Sequence, residues 1–492
     1  MQQLLKTFFG YSDFRPLQRE VIEHVMSGKD TLVLMPTGGG KSLCFQLPAL
    51  AMQGLTLVIS PLIALMKDQV DSLVANGVAA AYINSSLPGY EAERIWREAL
   101  TGKIKLLYIA PERVPFLQTR QDLLKLPVSL LAIDEAHCIS EWGHDFRPEY
   151  RQLNVLRELY PQAPMVALTA TANPRVKQDI LTQLKFRQGK IFQSSFNRPN
   201  LFYKVVPKKQ SFDRLLHELR RRPNQAVIIY CFSRKSTEQI ADKLQLNGIK
   251  AAAYHAGLSP EERARVQDRF IRDEVPIIAA TIAFGMGIDK PDVRLVVHMD
   301  LPKSVEGYYQ ETGRAGRDGL PSECLLFYSA GDRVKQEMFI REMQTAQEKM
   351  RAYEQLRQMV EYGALPTCRR KFLLNYFGET RNEASCGSCD VCIPQVEEVI
   401  LSKAVAEVGE YHPGLFEALR LHRLRLAKEK GVPPYVIFGD RTLADLASRW
   451  PRTLQELPRI FGIGQTKLEQ YGESFLAVIR LYAAEHGWPT KP

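Results

Sequence analysis

The stretch Met35-Pro-Thr-Gly-Gly-Gly-Lys-Ser42 says most about the fold of this chain of 492 residues. It follows the apolar run Thr31–Leu34, which predicts a buried parallel strand, and it precedes an apolar segment typical of a helix start. A strand, a glycine-rich turn, a lysine with a hydroxyl residue and a helix form the usual cradle for a nucleoside triphosphate. The strict pattern has glycine where this chain has Met35, so the match needs support from elsewhere.

Each residue type in this loop has a chemical reason to be there. The backbone N–H groups of Gly38, Gly39 and Gly40 can close on phosphate oxygens, because glycine lets the backbone approach the ligand. Lys41 supplies a cation for the phosphates, and the hydroxyl of Ser42 is a candidate ligand for Mg²⁺. The loop therefore predicts a nucleoside triphosphate and Mg²⁺ as cofactors.

Support comes from the segment Leu130-Leu-Ala-Ile-Asp-Glu-Ala-His137. Its apolar half predicts a core strand that delivers Asp134 and Glu135 to the carboxyl end of the sheet, where α/β proteins bind ligands. We expect Asp134 to hold Mg²⁺ and Glu135 to activate the water that attacks the γ-phosphate. For an acidic pair alone, an ordinary loop after a strand is the simpler interpretation. The phosphate loop ahead of it favours a nucleotide hydrolase.

Composition and charge limit the class of protein. Hydrophobic residues make up 45% of the chain and charged residues 24%, which is ordinary for a globular protein in water. The length predicts three or four compact units, and the formal net charge of +10 favours a polyanionic partner. No apolar run is long enough to span a membrane, and the first residues lack the layout of a signal peptide. We therefore expect a cytoplasmic location and no membrane partner.

Apolar runs alternate with helical patterns twice along the chain, which predicts an α/β fold with two parallel sheets. In the first half the predicted strands are 31–34, 56–60, 105–109, 130–134 and 165–169. In the second half they are 226–230, 251–254, 277–280, 295–298 and 324–328. The second series has no phosphate loop of its own, and residues 207–210 are the predicted hinge. This organisation indicates a motor that binds its nucleotide between two halves.

A cluster of four cysteines follows the second half. They have the spacing C-x17-C-x2-C-x2-C, and they are Cys368, Cys386, Cys389 and Cys392. Two tight C-x2-C steps favour tetrahedral Zn²⁺, whereas disulfides would be strained here and are rare in a reducing compartment. An iron–sulfur cluster is the remaining alternative. The other four cysteines are scattered singly and are predicted to be reduced packing residues.

Two arginines late in the second half bear on catalysis. They lie in Tyr308-Tyr-Gln-Glu-Thr-Gly-Arg-Ala-Gly-Arg-Asp-Gly319, where the spacing would place Arg314 and Arg317 on one face of a helix. If that face reaches the γ-phosphate, the pair act as arginine fingers, which contribute about 10³–10⁵ in rate. Solvated arginines on a surface helix are the alternative for an isolated pair.

Together, residues 1–392 resemble the catalytic region of the RecQ-type helicases, superfamily-two DNA motors. The matching motifs are residues 9–18, 36–42, 60–69, 109–113, 134–137, 168–172, 280–289 and 310–317. The resemblance implies two tandem RecA-like domains at 1–205 and 206–330 and a helical zinc-binding subdomain at 331–395. It makes zinc the expected metal of the four cysteines, with Arg369, Arg370 and Lys371 near DNA phosphates.

The resemblance also assigns residues to the nucleotide site. The carboxamide of Gln18 can pair with adenine, while Tyr11 and Arg15 can stack on the base. Thr37 joins the phosphate loop, and Asp289 is expected near the ribose or the domain interface. Thr169 and Thr171 are expected to link the state of the γ-phosphate to the second domain.

The segment Ser140-Glu-Trp-Gly-His-Asp-Phe-Arg147 resembles the aromatic-rich loop with which this family senses DNA. Trp142 and Phe146 can stack on unpaired bases, and Arg147 can meet phosphate or stack. Aromatic residues are more often part of a core, but these follow the catalytic strand in a polar loop. We expect this loop to make hydrolysis wait for DNA.

The last part of the chain resembles the helicase-and-RNase-D C-terminal (HRDC) module, an all-α bundle at 412–484 after a linker at 396–411. The carrying residues are 432–438, 440–446 and 460–464, with Lys467 and Tyr471. The turn Gly462-Ile-Gly464 either presents amides to phosphate or is a turn between helices. Many family members have a winged-helix domain before this module. We expect it to be absent here, which leaves the strand-separating wedge unassigned.

These expectations combine into an ATP- and Mg²⁺-dependent 3′-to-5′ DNA helicase of recombination and repair. Its partners would be single-stranded and partly duplex DNA, with single-strand-binding and repair proteins, and the chain would act as a monomer at the nucleoid. Polarity and the preference for DNA come from the resemblance. The alternatives are an RNA helicase and a DNA-dependent ATPase or annealing factor that separates strands poorly.

Overall fold

The computed structural model describes residues 1–36, 38–61, 63–84, 87–140, 146–172, 174–285, 290–383, 385–393 and 411–488. Thr37, Trp142, Asp289 and nearly all of the predicted linker lie outside the described residues. The chain forms two compact units. Of the described residues, the first contains 1–196 together with 451–480, and the second begins at Asn197 and continues to Trp450, with 481–488.

The first unit is built on a sheet of seven strands. They are β1 Thr31–Leu34, β2 Leu55–Ile59, β3 Ala80–Ile83, β4 Leu106–Ile109, β5 Val128–Ile133, β6 Met165–Thr169 and β7 Lys190–Gln193. Their order across the sheet is β3-β4-β2-β5-β6-β1-β7, and every described pairing is parallel. The five strands predicted for this half are confirmed within one or two residues at their ends. The edge strands β3 and β7 were not predicted.

Side chains alternate between two cores on the faces of this sheet. Leu57 and Ile59 of β2 pack in one apolar cluster, whereas Val58 between them packs in the other. Because both faces are covered by helices, the strands are apolar throughout, as expected for a buried parallel sheet. This burial fixes the register of β5 and β6, whose carboxyl ends carry the acidic and threonine motifs.

Ten α-helices surround or precede the first sheet in the described residues. They are α1 Gln2–Leu4, α2 Gln18–Met26, α3 Leu43–Ala51, α4 Ile63–Ala75, α5 Gly89–Leu100, α6 Leu117–Leu123, α7 Pro148–Arg151, α8 Val155–Leu159 and α9 Pro174–Gln183, with α20 Gln465–Glu485, of which residues 465–480 belong to this unit. One turn of π-helix, Leu5–Phe9, continues α1 and ends at Gly10. Helix α3 starts directly after the phosphate loop, as the sequence predicts.

The second unit contains a parallel sheet of six strands. They are β8 Leu201–Pro207, β9 Ala226–Tyr230, β10 Ala251–Tyr254, β11 Ile277–Ala280, β12 Val293–His298 and β13 Ser322–Tyr328, in the order β10-β11-β9-β12-β13-β8. The five predicted strands of this half are confirmed. Residue Pro207 ends strand β8, which pairs with β13 along its whole length. The hinge predicted at 207–210 therefore falls inside the second unit, because an alternating apolar run before it was not recognised as a strand.

Helices of the second unit cover its sheet and continue beyond it. They are α10 Ser211–Arg220, α11 Arg234–Leu246, α12 Pro260–Ile271, α13 Val305–Thr312, α14 Gly331–Glu342, α15 Ala346–Ala364, α16 Arg369–Tyr376, α17 Pro413–Lys430, α18 Pro434–Ile437 and α19 Asp440–Arg449. Helices α14 and α15 precede the cysteine cluster and α16 lies between Cys368 and Cys386, so the predicted helical subdomain is confirmed. Tandem parallel sheets, this subdomain and C-terminal helices confirm the predicted fold class.

The C-terminal helices are divided between the two units: residues 413–450 belong to the second unit and residues 451–480 to the first. In the first unit, the Gly462–Gly464 turn packs closely on residues 7–10. Among the described residues, no helix has both the length and the apolar character needed to cross a bilayer.

Candidate nucleotide site and cysteine cluster

The phosphate loop is shaped by its glycines and is contacted by two side chains at the start of α2 and just before it. Gly38 and Gly40 have φ values of +78° and +83°, which favour glycine. The Gly38 carbonyl accepts a hydrogen bond from the Arg15 guanidinium, and the Gly40 carbonyl accepts one from Gln18 Nε2 at 3.0 Å. A Cβ on Gly40 would clash with that Nε2 atom. The predicted adenine residues Arg15 and Gln18 are therefore joined directly to the loop.

Lys41 lies across the same loop. Its Nζ atom donates to the carbonyl of Met35 at 2.9 Å and lies 3.5 Å from that of Pro36. These carbonyls hold an ammonium group at the loop that phosphates would occupy. The mismatch at Met35 has a structural reason, because its side chain is 1% exposed and packs in the core instead of facing a ligand.

Ser42 begins a buried chain of polar contacts that was not predicted. Gln69 Nε2 in α4 donates to Ser42 Oγ at 3.4 Å, and Tyr108 donates to Gln69 Oε1 at 2.9 Å. Burial raises the pKa of the Tyr108 hydroxyl, so Tyr108 stays a donor at all ordinary pH values. Gln69 lies in the matching motif at residues 60–69, and its place in that motif was the signal available. The network orients the hydroxyl expected to bind Mg²⁺.

The acidic pair follows β5 as predicted. Asp134 is 6% exposed, and its Oδ1 atom accepts the backbone N–H of Glu135 at 3.0 Å. The carbonyl of Asp134 accepts a hydrogen bond from the Tyr150 hydroxyl at 2.8 Å. Glu135 has a left-handed backbone with φ of 46°, and its Oε2 atom lies 3.2 Å from Nδ1 of His137. The two neighbouring carboxylates, which the sequence assigns to different tasks, thus make different contacts.

Thr169 connects the phosphate loop to the acidic turn. It ends β6, which lies between β1 and β5 in the sheet. Its carbonyl accepts the backbone N–H of Met35 at 3.2 Å, and its Oγ1 atom lies 2.9 Å from Nδ1 of His137. The same Oγ1 atom donates to the carbonyl of Thr171 at 3.2 Å. The loop, the acidic turn and the threonine motif therefore form one hydrogen-bonded site at the carboxyl edge of the sheet.

Two of the three residues predicted to sense DNA are described, and they have different environments. Arg147 is held to the body of the unit, because its Nη1 atom donates to the carbonyl of Pro61 at 3.0 Å. Phe146 is 36% exposed, and the guanidinium of Arg151 lies 5.3 Å from its ring centroid. Phe146 is thus partly exposed beside a guanidinium group, whereas Arg147 is bonded to the backbone at Pro61.

The prediction that Arg314 and Arg317 lie on a helix is wrong. Helix α13 ends at Thr312, and both arginines lie in the turns that follow it. The physical reason is a pair of glycines, Gly313 and Gly316, since glycine disfavours a helix. Gly316 has φ of +55°, and a Cβ there would lie 2.5 Å from Asn200 Nδ2. Arg314 is 6% exposed, and its Nη2 atom would lie 3.3 Å from a Cβ on Gly285. The pair is presented by a tight loop of the second unit.

The four clustered cysteines come together. Their sulfur atoms all lie within 4.8 Å of one another, in Cys368, Cys386, Cys389 and Cys392. Tetrahedral zinc with bonds of about 2.3 Å needs sulfurs roughly 4 Å apart, so the donor set fits this metal. Backbone N–H groups of Lys371, Cys386 and Ser388 point at these sulfurs at 3.3–3.4 Å. Such contacts favour thiolates.

The clustered thiols share their protons with one another. A hydrogen bond between Cys386 and Cys389 lowers the pKa of the Cys389 thiol and raises the pKa of the Cys386 thiol. Burial instead raises the pKa of Cys44 and Cys231 to about 12, so these thiols stay protonated and inert. All four scattered cysteines are buried and reduced, as predicted.

Arg369 and Arg370 do not face DNA, so their predicted role is wrong. Arg369 Nε donates to Asp390 Oδ1 at 2.6 Å, and Arg370 donates to Asn197 Oδ1 at 2.6 Å. Both arginines are buried, at 6% and 2% exposure. They connect α16 to the cysteine turn and to the start of β8, whereas Lys371 is exposed. A run of basic residues in sequence does not show which of them are buried.

The site and the fold together define a class of protein. A phosphate loop and an acidic turn share one edge of a parallel sheet, and a second parallel sheet with an arginine turn follows in the chain. This combination is that of a nucleotide-hydrolysing motor of the helicase class.

Comparisons with known proteins give the family. Family models match in chain order: "DEAD/DEAH box helicase" at residues 15–180, "Helicase conserved C-terminal domain" at 208–319, "RecQ zinc-binding" at 330–393 and "HRDC domain" at 412–479. The chain is 38% identical to the ATP-dependent DNA helicase RecQ of Haemophilus influenzae, covering 98% of this chain and 96% of that protein. It is 37% identical to the protein of the same name from Bacillus subtilis, covering 98% of both.

The chain therefore belongs to the RecQ family. The predicted type of enzyme, an ATP-dependent helicase with a zinc-binding subdomain, is confirmed. Among solved structures, the Mycobacterium smegmatis helicase Lhr bound to ssDNA and AMP-PNP matches with a TM-score of 0.54 and 22% identity. That match covers 68% of this chain and 48% of Lhr, and it supports the fold alone.

Proposed function

We propose that this chain hydrolyses ATP to move 3′-to-5′ along single-stranded DNA and to unwind duplexes in recombination and repair. The observation that carries the proposal is the hydrogen-bonded junction at Thr169, which holds Met35 of the phosphate loop and His137 of the acidic turn. The RecQ relatives, matched along nearly their whole length, supply the substrate, since each is named as a DNA helicase.

In this mechanism the first unit carries out hydrolysis. Lys41 neutralises phosphate charge, and Ser42 with Asp134 holds Mg²⁺, a hard cation that prefers oxygen ligands. Glu135 takes the proton of the attacking water, and His137, 3.2 Å away, orients that carboxylate. Gly38 to Gly40 present amides to the phosphates, with Thr37 in the same loop.

The adenine is held by Tyr11, Arg15 and Gln18, and Asp289 serves the ribose. Arg15 and Gln18 are already bonded to the carbonyls of Gly38 and Gly40, so base recognition and phosphate binding share one rigid framework. Arg314 and Arg317 stabilise the charge that develops on the γ-phosphate. Their assignment rests on the sequence motif.

Coupling to DNA is assigned to the loop with Trp142, Phe146 and Arg147. Phe146 offers an exposed ring for base stacking, which contributes about 1–3 kcal/mol per base. The loop follows the acidic turn directly, and Arg147 N–H donates to the carbonyl of Cys138 at 2.9 Å. A change in the contacts of Phe146 or Arg147 on DNA binding would therefore reach Glu135 through the short 3-10 helix Ala136–Ile139.

We further propose that the enzyme acts as a monomer at the nucleoid, on single-stranded and partly duplex DNA, alongside single-strand-binding and repair proteins. This rests on the family and on the net charge of +10.

A strand-displacement assay tests the proposal. The purified protein should release a labelled strand from a duplex with a 3′ single-stranded tail, in the presence of ATP and Mg²⁺, and Lys41→Ala should abolish release. A 5′-tailed duplex tests polarity, because it should remain intact.

Two outcomes would favour the alternatives. Greater stimulation of ATP turnover by single-stranded RNA than by DNA would indicate an RNA helicase. DNA-stimulated ATP turnover without strand release, with faster annealing of complementary strands, would indicate an annealing factor.

A further inference from the structure

An aromatic contact joins the C-terminal helices to the adenine side of the nucleotide site. The ring centroid of Phe461 lies 5.2 Å from that of Tyr11, with 36° between the ring planes. Rings at this distance and tilt attract each other beyond the area they bury. Both residues belong to the first unit. Tyr11 is a proposed adenine residue, so any role of Phe461 toward the nucleotide rests on the proposed function.

The backbones on the two sides approach too closely for any residue but glycine. A Cβ on Gly464 would lie 2.9 Å from the carbonyl oxygen of Thr7. A Cβ on Gly10 would lie 2.6 Å from the amide nitrogen of Gly464. Glycines stand on both sides at the point of closest approach, which indicates a specific packing contact. A chance contact between the two segments would not require glycine on both sides.

Polar and apolar contacts extend this packing on both flanks. Lys6 Nζ donates to the carbonyl of Pro458 at 2.5 Å, and Thr466 Oγ1 donates to that of Asn76 at 3.5 Å. Between them Ile463 is 2% exposed. The turn therefore restrains both the backbone and the ring of the residues that begin the adenine site.

We propose that Phe461 is a positioning residue for ATP, which acts by holding the Tyr11 ring ready to receive the adenine. Fixing a side chain before its ligand arrives removes an ordering cost from binding. The expected benefit is about a two- to tenfold tighter hold on ATP, which corresponds to one immobilised side chain. The C-terminal helices thereby set nucleotide affinity without touching the reacting phosphate.

The first test is Phe461→Ala in the full-length chain. The KM for ATP should rise about two- to tenfold, while kcat with saturating DNA stays close to that of the wild type. Phe461→Tyr keeps a ring and should restore the KM. In a Tyr11→Ala background, Phe461→Ala should have no further effect, because the ring that it positions is gone.

The second test disrupts the packing of the Gly462–Gly464 turn on residues 7–10 and keeps the Phe461 ring. Gly464→Ala places a methyl group against the backbone of residues 7–10, so it should raise the KM for ATP as Phe461→Ala does. Gly439→Ala is the matched control, since a Cβ there meets nothing within 4 Å. Both glycine variants should keep the wild-type circular dichroism spectrum.

The measurements distinguish a failure of this positioning role from a failure of the proposed function. A wild-type protein that does not hydrolyse ATP would overturn the proposed function itself. A wild-type protein that does, with variants whose KM is unchanged, would overturn only the role of Phe461. A lower KM in Phe461→Ala would also overturn it, because Phe461 would then block the base.

Discussion

Glu135 shows how the backbone serves chemistry at the scale of one residue. It adopts a left-handed conformation, with φ of 46°, which costs a residue other than glycine about 1–2 kcal/mol. Its backbone N–H donates to Oδ1 of Asp134, and its own Oε2 atom lies 3.2 Å from Nδ1 of His137. This backbone strain lies at a pair of adjacent carboxylates to which we assign different roles. Strain of this kind is common at functional sites.

We predict that Glu135→Gln binds ATP normally and hydrolyses it about 10²–10⁴-fold more slowly, because glutamine keeps the shape but cannot accept a proton. Single-turnover hydrolysis and the affinity for a fluorescent ATP analogue measure the two effects separately. Glu93→Gln, on the exposed face of α5, is the control and should leave both unchanged. A variant with an unchanged cleavage rate would show that Glu135 is not the base.

Lys467 gives a prediction about stability and pH. Burial lowers the pKa of its amine to about 8. The folded protein therefore binds fewer protons there than the unfolded chain between about pH 8 and 10.4, so this group opposes folding most strongly below pH 8. The penalty fades as the pH rises.

Lys467→Met should accordingly raise the thermal midpoint at pH 7 by about 2–4 °C, on a discounted gain of about 1 kcal/mol, since the side chain keeps some contact with water. Unfolding followed by circular dichroism at pH 7 and at pH 10 checks this, and the gain should shrink at the higher pH. The exposed Lys428→Met is the control. An equal gain at both pH values would contradict the explanation.

At the scale of elements, the cysteine turn depends on its metal. We predict that Cys389→Ser yields protein with little zinc and an unfolding transition at lower temperature, because structural zinc contributes about 10–16 kcal/mol of apparent binding energy. Metal analysis and thermal unfolding measure the two effects. Cys231→Ser is the control. It removes a buried thiol outside the cluster, so this variant should keep the zinc content of the wild type. Full zinc content in Cys389→Ser would exclude this residue as a ligand.

Most elements could be predicted from sequence because their signals are local. Strands such as β1 and β5 are uniformly apolar, which is characteristic of strands buried on both faces. Edge strands carry a weaker hydrophobic signal. In β7 only Phe192 is buried, and β8 ends in the exposed Pro207. The same limit applies to the site. Loop glycines and carboxylates stand in motifs, whereas the Gln69–Tyr108 contact joins residues distant in sequence.

At the scale of the whole molecule, hydrolysis by the first unit is predicted to require arginines of the second. Arg314→Ala and Arg317→Ala should each reduce DNA-stimulated ATP turnover at saturating ATP by about 10³–10⁵-fold, while ATP binding is retained. Steady-state turnover and nucleotide titration measure this. Arg333→Ala, an exposed arginine of α14 paired with Glu337, is the matched control. Turnover unchanged in both arginine variants would show that the first unit works alone.

Strand β8 is the outer strand of the second sheet, and the cysteine turn lies along its free side. The N–H of Tyr203 donates to the carbonyl of Ser388 at 3.1 Å, and the N–H of Asp390 donates back to the carbonyl of Tyr203 at 3.0 Å. An uncovered outer strand is a template on which other chains can add, so natural proteins shield such strands. We therefore expect the zinc subdomain to shield this strand as well: a chain that loses its metal, and with it the cysteine turn, would expose an unpaired strand edge on which other chains could aggregate.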